Sequence, residues 1–162
     1  MKKTTIILLF LTLITSCKST QKSIVQKRNI RLNTNTKADK IIKNAEKYLH
    51  TKYKYGGTTK KGMDCSGLVF TVYKQEKIIL PRTSYTMSLK GKAIPLKRTK
   101  KGDLLFFATG RKNKINHVGL VSKIKNHEIF FIHASTKRGV ITSSMNEKYY
   151  RTRFIKAKRI LL

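Results

Sequence analysis

The hydrophobic period of this chain changes once, near Lys101, and that change limits the folds open to it. Before it, apolar residues recur at helical spacing, at 38, 41, 42, 45, 48 and 49 and again at 65, 68, 69 and 72. After it, short runs rich in β-branched and aromatic residues read as strands over 104–107, 117–124, 128–134, 140–144 and 154–161. Helices first and strands afterwards predict an α+β domain with an antiparallel sheet, because a βαβ repeat would alternate the two patterns. Thr36-Lys37-Ala38-Asp39 has the form of a capping box and starts the first helix. Lys101-Gly102-Asp103 is the turn that launches the strands, and the stretch from Pro81 through Ile94-Pro95 to about Lys101 reads as a long irregular connection.

The first 35 residues follow neither period. Lys2 and Lys3 precede an apolar run over 6–14 that is too short to span a bilayer, as in a signal peptide. Ile14-Thr15-Ser16-Cys17 resembles the lipobox of bacterial lipoproteins, in which the cysteine is acylated and becomes the mature N-terminus. The expected division is a signal peptide over 1–16, a lipidated Cys17 with a flexible basic tether over 17–35, and one folded domain over 36–162, a monomer. With two cysteines in the chain and Cys17 acylated, only Cys65 is left with a free thiol, which excludes a disulfide framework. Lys and Arg number 37 against 7 acidic residues, a formal charge of +30. That excess implies a polyanionic environment, or else a background preference for lysine spread over a solvated surface. Nucleic acid is not expected as the partner: no recognition motif is present, and an export signal leads to the wrong compartment.

The chemistry gathers around Met63-Asp64-Cys65-Ser66-Gly67-Leu68-Val69-Phe70. Asp64 suits an N-cap, since its carboxylate can accept the free N–H groups of a first helical turn. Cys65 then occupies the positive end of a helix, where a thiolate is stabilised. The competing reading is a small core cysteine. Downstream, a hairpin with a three-residue loop at 124–126 pairs 123 with 127, and counting back pairs His117 with His133. A thiol near two histidines suits nucleophilic catalysis, with Cys65 as nucleophile, His117 as base and His133 fixing its tautomer. A zinc site from the same three side chains is the other chemical reading, without CxxC or HxxxH spacing to support it.

These segments resemble the NlpC-type papain-like cysteine peptidases that cut bacterial cell-wall peptides. The resemblance covers about 48–160 and rests on Tyr53-x-Tyr55-Gly56-Gly57, Asp64-Cys65-Ser66-Gly67-Leu68, Leu80-Pro81-Arg82-Thr83-Ser84, Lys101-Gly102-Asp103-Leu104, Asn116-His117-Val118-Gly119 and Ile132-His133-Ala134-Ser135. The run from Gly139 to Glu147 is especially similar to the Spr (MepS) subgroup, lipoproteins that hydrolyse peptidoglycan cross-links. The resemblance implies an NlpC fold with helices packed on a five- or six-stranded, mostly antiparallel sheet. It maps nucleophile, base and third polar residue onto Cys65, His117 and His133, without cofactor or metal. It places Tyr53 beside the thiol as a donor to the oxyanion or substrate, and makes Asp64 and Ser66 substrate contacts. The implied protein is a peptidoglycan endopeptidase, lipid-anchored outside the cytoplasm, in an outer membrane facing the periplasm. The scissile bond stays open between D-glutamate–diamino acid and D-alanine cross-links. A catalytically silent wall-binding lipoprotein, and an amidase or acyltransferase on the same scaffold, are the alternatives.

Overall fold

The computed structural model describes residues 36–110 and 113–161; the expected signal peptide, Cys17 and tether lie outside that range. Helix α1, Lys37–Glu46, starts at the expected capping box: the Thr36 hydroxyl accepts from the Asp39 N–H at 3.1 Å, and the Asp39 carboxylate accepts from the Thr36 N–H at 3.3 Å. Its buried residues, Ile41, Ile42 and Ala45, form one stripe facing the domain. Two short strands, β1 (Thr58–Thr59) and β2 (Gly62–Met63), make a hairpin that leads into helix α2, Cys65–Gln75. Leu68, Val69, Val72 and Tyr73 of α2 are fully buried, each such aliphatic side chain contributing about 1.5–3 kcal/mol by leaving water.

The stretch expected to be irregular carries more structure than its sequence suggests. It holds a one-turn helix α3 (Ser84–Met87), an edge strand β3 (Lys92–Ile94) and a 3₁₀ turn over Leu96–Arg98. Three residues of strand give too short a pattern to stand out, and β3 exists because β8 offers it an edge. The remaining strands are β4 (Leu104–Phe107), β5 (His117–Lys125), β6 (Glu128–Ser135), β7 (Gly139–Ser144) and β8 (Phe154–Arg159), with the short helix α4 (Lys148–Arg151) before β8. They form one antiparallel sheet in the order β3-β8-β4-β5-β6-β7. The fold is thus α+β, with helices on a six-stranded sheet as the sequence predicts.

Both faces of the sheet are covered near its centre. Leu104, Phe106, Val118, Leu120, Ile132 and Ala134 pack with α1 and α2, while Leu105, Phe107, Val121, Phe131, Met145 and Tyr150 form a second cluster on the other face. This is why Leu104-Leu105-Phe106-Phe107 is an unbroken apolar run instead of an alternating one.

The β5–β6 hairpin departs from expectation in a way that matters for function. The three-residue loop at 124–126 is not formed. The turn is Asn126-His127, both at positive φ (50° and 63°), which is the twist a two-residue hairpin turn requires. From that turn Lys125 pairs with Glu128 and Lys123 with Phe130, a register that would send residues 117 and 133 to opposite faces. A bulge at Ser122 shifts the pairing by one, so that Leu120 faces Ile132. His117 and His133 therefore share a face after all, as diagonal neighbours and not as the directly opposed pair expected.

Candidate active site

Cys65 is the first residue of α2, and its sulfur is buried. It is placed there by a close approach of two backbones. A Cβ at Gly67 would stand 2.0 Å from the Gly57 carbonyl oxygen, so only glycine lets the first turn of α2 lie on the Gly56-Gly57 turn. From this position Sγ reaches the strand that carries His117: it lies 3.9 Å from the Asn116 carbonyl, and the Val118 N–H points to it. These two backbone groups flank His117.

The imidazoles stand on the face of the sheet that carries Phe107, Phe131 and Tyr150. His117 Nε2 and His133 Nδ1 are 3.0 Å apart, with the rings nearly perpendicular at 85°. The far nitrogen of His133, Nε2, has two hydroxyls within reach, Ser143 Oγ and Tyr150 Oη, each at 3.2 Å. His133 is buried among the rings of Phe131 and Tyr150, at centroid distances of 5.0 and 5.1 Å. Ser143 and Tyr150 escape sequence reasoning because nothing in their spacing points at a histidine 10 or 17 residues away.

Burial decides the charge state of these groups. It pushes the Cys65 thiol up to about 11, against the opposing pull of the Val118, Ser66 and Cys65 N–H groups, and the Asp64 charge adds to the rise. It pulls His117 down to about 4 and His133 to about 2, the latter also repelled by His117 and Arg138. The low thiol pKa expected from the helix terminus is thus not realised in the free site. The terminal N–H groups act as foreseen, but loss of water around the sulfur outweighs them.

Asp64 caps α2 as expected, accepting from the Gly67 N–H at 2.6 Å. Its carboxylate also accepts from the Gly56 N–H at 2.7 Å, from the Ser66 hydroxyl at 3.1 Å, and from Arg82 through two N–H groups at 2.9 Å each. Five donors thus converge on about four lone-pair positions of this carboxylate, so a substrate contact of the kind the resemblance implies for Asp64 would share it with them. Burial alone would raise this carboxyl, yet the Arg82 and Gly67 hydrogen bonds hold it below the usual carboxylate range. Arg82, to which the sequence reading assigns no role, also donates to Ser66 Oγ at 2.9 Å and stays partly exposed. One arginine among many basic residues gives no compositional signal.

One cleft opens on Cys65 and another on the histidines. The first, of about 390 Å³, is lined by Cys65, Tyr53, Asp64, Ser66, Arg82 and Asn116, with the largely exposed rings of Tyr55 and Tyr85 at its rim. Tyr53 stands close enough to the sulfur that burial, and then negative charge on Cys65, would raise its phenol pKa. The other cleft, of about 430 Å³, opens on His117 and His133. Among the described residues, no three His, Cys, Asp or Glu side chains converge as metal ligands.

Residues 50–159 match the model of the NlpC/P60 family. The Murein DD-endopeptidase MepS/Murein LD-carboxypeptidase of Escherichia coli (strain K12) is 41% identical over 111 residues, 68% of this chain and 56% of that protein. The probable endopeptidase NlpC homolog of Haemophilus influenzae is 42% identical over 115 residues, 70% of this chain and 58% of that one. Among solved structures, an NlpC/P60 family protein from Bacillus cereus is similar with a TM-score of 0.69 at 33% identity, over 77% of this chain and 40% of that chain. The chain thus spans between 56% and 58% of the length of these two curated relatives.

Proposed function

As the chain belongs to the NlpC/P60 family, we propose that it is a peptidoglycan endopeptidase that hydrolyses stem-peptide or cross-link amide bonds with the Cys65 thiol. The observation that carries this reading is the seat of the sulfur. It lies at the start of α2 against the backbone on either side of His117, whose ring is hydrogen-bonded to His133. Relatives named as murein endopeptidases supply the substrate class.

The hydrogen bonds support one mechanism. His133 Nδ1 accepts the His117 Nε2–H and passes its own Nε2–H to Ser143 or Tyr150, which leaves His117 Nδ1 free as the base. His117 takes the thiol proton as Sγ attacks the scissile carbonyl. The resulting oxyanion is met by the Tyr53 hydroxyl and the N–H groups at the start of α2. The imidazolium then protonates the departing amine, leaving a thioester that water, activated by His117, hydrolyses. Ser66 and Arg82 line the acyl side, and Asp64 acts there through Arg82. No cofactor enters these steps.

The protein acts outside the cytoplasm in this reading. Ile14-Thr15-Ser16-Cys17 directs acylation of Cys17, with 17–35 as a tether for a monomeric domain over 36–162, anchored in an outer membrane facing the periplasm. Among the described residues no helix is long and apolar enough to cross a membrane.

Digestion of purified cell walls, read by mass spectrometry of the released fragments, tests the activity and names the bond. Cys65→Ala is expected to lose roughly three or more orders of magnitude in rate with an unchanged unfolding temperature. Retention of most activity by that variant refutes the thiol mechanism.

A further inference from the structure

The cleft on the histidine side has a charge and a position of its own. The amine released in the reaction must take its proton from His117, so the part of the substrate beyond the scissile bond has to lie within reach of that ring. The cleft that opens on His117 and His133 is the space available to it. Over this cleft stands the tip of the β6–β7 hairpin, where Ser135 pairs with Gly139 and residues 136–138 form the turn. Lys137 and Arg138 are both exposed at that tip and both line the cleft, against a single carboxylate, Glu147, on the other wall. Thr109, Thr136 and Ser135 add hydroxyls, and Tyr149 and Tyr150 give it an aromatic side. Burial raises the Tyr150 phenol, and the nearby Arg138 charge opposes that rise, which places the cation on the same side of the cleft as Tyr150.

We propose that this cleft is the leaving-side subsite and that Lys137 and Arg138 make it select an amine component carrying a carboxylate. The inference rests on the endopeptidase reading, and it adds the chemical class of the group accepted beyond the scissile bond. A guanidinium and an ammonium in a half-enclosed cleft give charge-assisted hydrogen bonds to a carboxylate that an amide cannot match. Of the two, Arg138 supplies geometry and Lys137 a mobile point charge.

The test uses two wall-derived peptides, identical except that the residue on the leaving side ends in a free carboxylate or in a carboxamide. Each is titrated by calorimetry into the Cys65→Ala protein, which binds without turning over. The leaving fragment alone, as acid and as amide, is titrated into the wild type in case that variant misfolds. The acid is expected to bind about tenfold more tightly than the amide, as one charge-assisted contact provides. Lys137→Gln with Arg138→Gln should abolish the difference, and Lys137→Gln alone should reduce it. Equal binding of acid and amide by the unsubstituted cleft overturns the subsite, whatever the activity. Loss of hydrolysis with the preference intact would instead count against the endopeptidase reading and leave the subsite standing.

Discussion

The two histidines differ in what their environments allow them to do. His117 joins the histidine pair through Nε2 alone, whereas His133 is buried with both nitrogens hydrogen-bonded. His133 contributes an acceptor at the Nδ1 position, which the amide oxygen of asparagine can reproduce and the longer glutamine cannot. His133→Asn should therefore retain measurable wall hydrolysis, His133→Gln less, and His133→Ala about a hundredfold less than wild type. Equal activity in all three variants would remove His133 from the mechanism. The thiol gives a second prediction at this scale. Its pKa is raised to about 11, so Sγ stays protonated up to that pH, and His117, lowered to about 4, stays neutral down to that one. Between the two, the free site holds a neutral thiol–imidazole pair, and the proton moves only as the sulfur attacks. Iodoacetamide alkylation of Cys65 should then rise about tenfold per pH unit through neutrality, with an apparent pKa above the roughly 8.5 of a free thiol. A rate plateau reaching below pH 6 would show a preformed thiolate–imidazolium pair instead.

Helix α2 is the element on which the site depends, and Asp64 is what fixes its start. One carboxylate ties the first turn of the helix, the Gly56-Gly57 turn and the bend that carries Arg82 into one unit. Asp64→Asn keeps the size but weakens hydrogen bonds to a charge, and should cost about 2 kcal/mol of stability at neutral pH. The pH dependence has a definite sign. The carboxyl is held below its ordinary value in the folded protein, so its stabilisation is complete above the unfolded pKa of about 3.9. It is lost as pH falls through the folded value. Urea unfolding of wild type and Asp64→Asn should accordingly differ at pH 7 and converge in acid. A gap that persists at low pH would show that the carboxylate charge is not the source. The same unit explains why Gly67 cannot carry a side chain, since α2 would have to lift off the turn and take Cys65 with it.

At the scale of the molecule, the sheet closes by a long-range tie. Arg159, at the end of β8, donates two hydrogen bonds of 2.8 Å to the buried Asp103 carboxylate, which also accepts from the Lys100 N–H at 2.7 Å. Gly102 alongside it accepts from the buried Tyr73 hydroxyl of α2 at 2.5 Å. The Lys101-Gly102-Asp103 turn, one of the segments of the family resemblance, is therefore a joint between helix, sheet centre and last strand. It lies away from the residues lining either cleft. The membrane placement proposed for the molecule is a separate matter and rests on Cys17 as the acylated residue. Metabolic labelling with a radioactive fatty acid should mark the wild-type protein and not Cys17→Ser, and only the labelled form should sediment with membranes. Equal release of both forms into the soluble fraction would refute the anchor.

The sequence by itself determined the α+β class, the five longer strands and the start of both main helices. These follow from local quantities: hydrophobic period, β-branched content and a capping carboxylate or hydroxyl within three residues. It also determined the chemical inventory, since a lone thiol after Asp64 and two histidines of matching parity can be read directly. Tertiary structure decided how that inventory is arranged. The shared face of His117 and His133 depends on the turn length and on a one-residue bulge at Ser122 acting together, and either alone would have separated the rings. The partners of His133 and Asp64, namely Tyr150, Ser143 and Arg82, come from elements whose contact no local pattern encodes. The charge states were decided there as well. A helix terminus is visible in sequence, but the water removed from around Sγ is a property of everything packed against it, and here that loss is the larger effect.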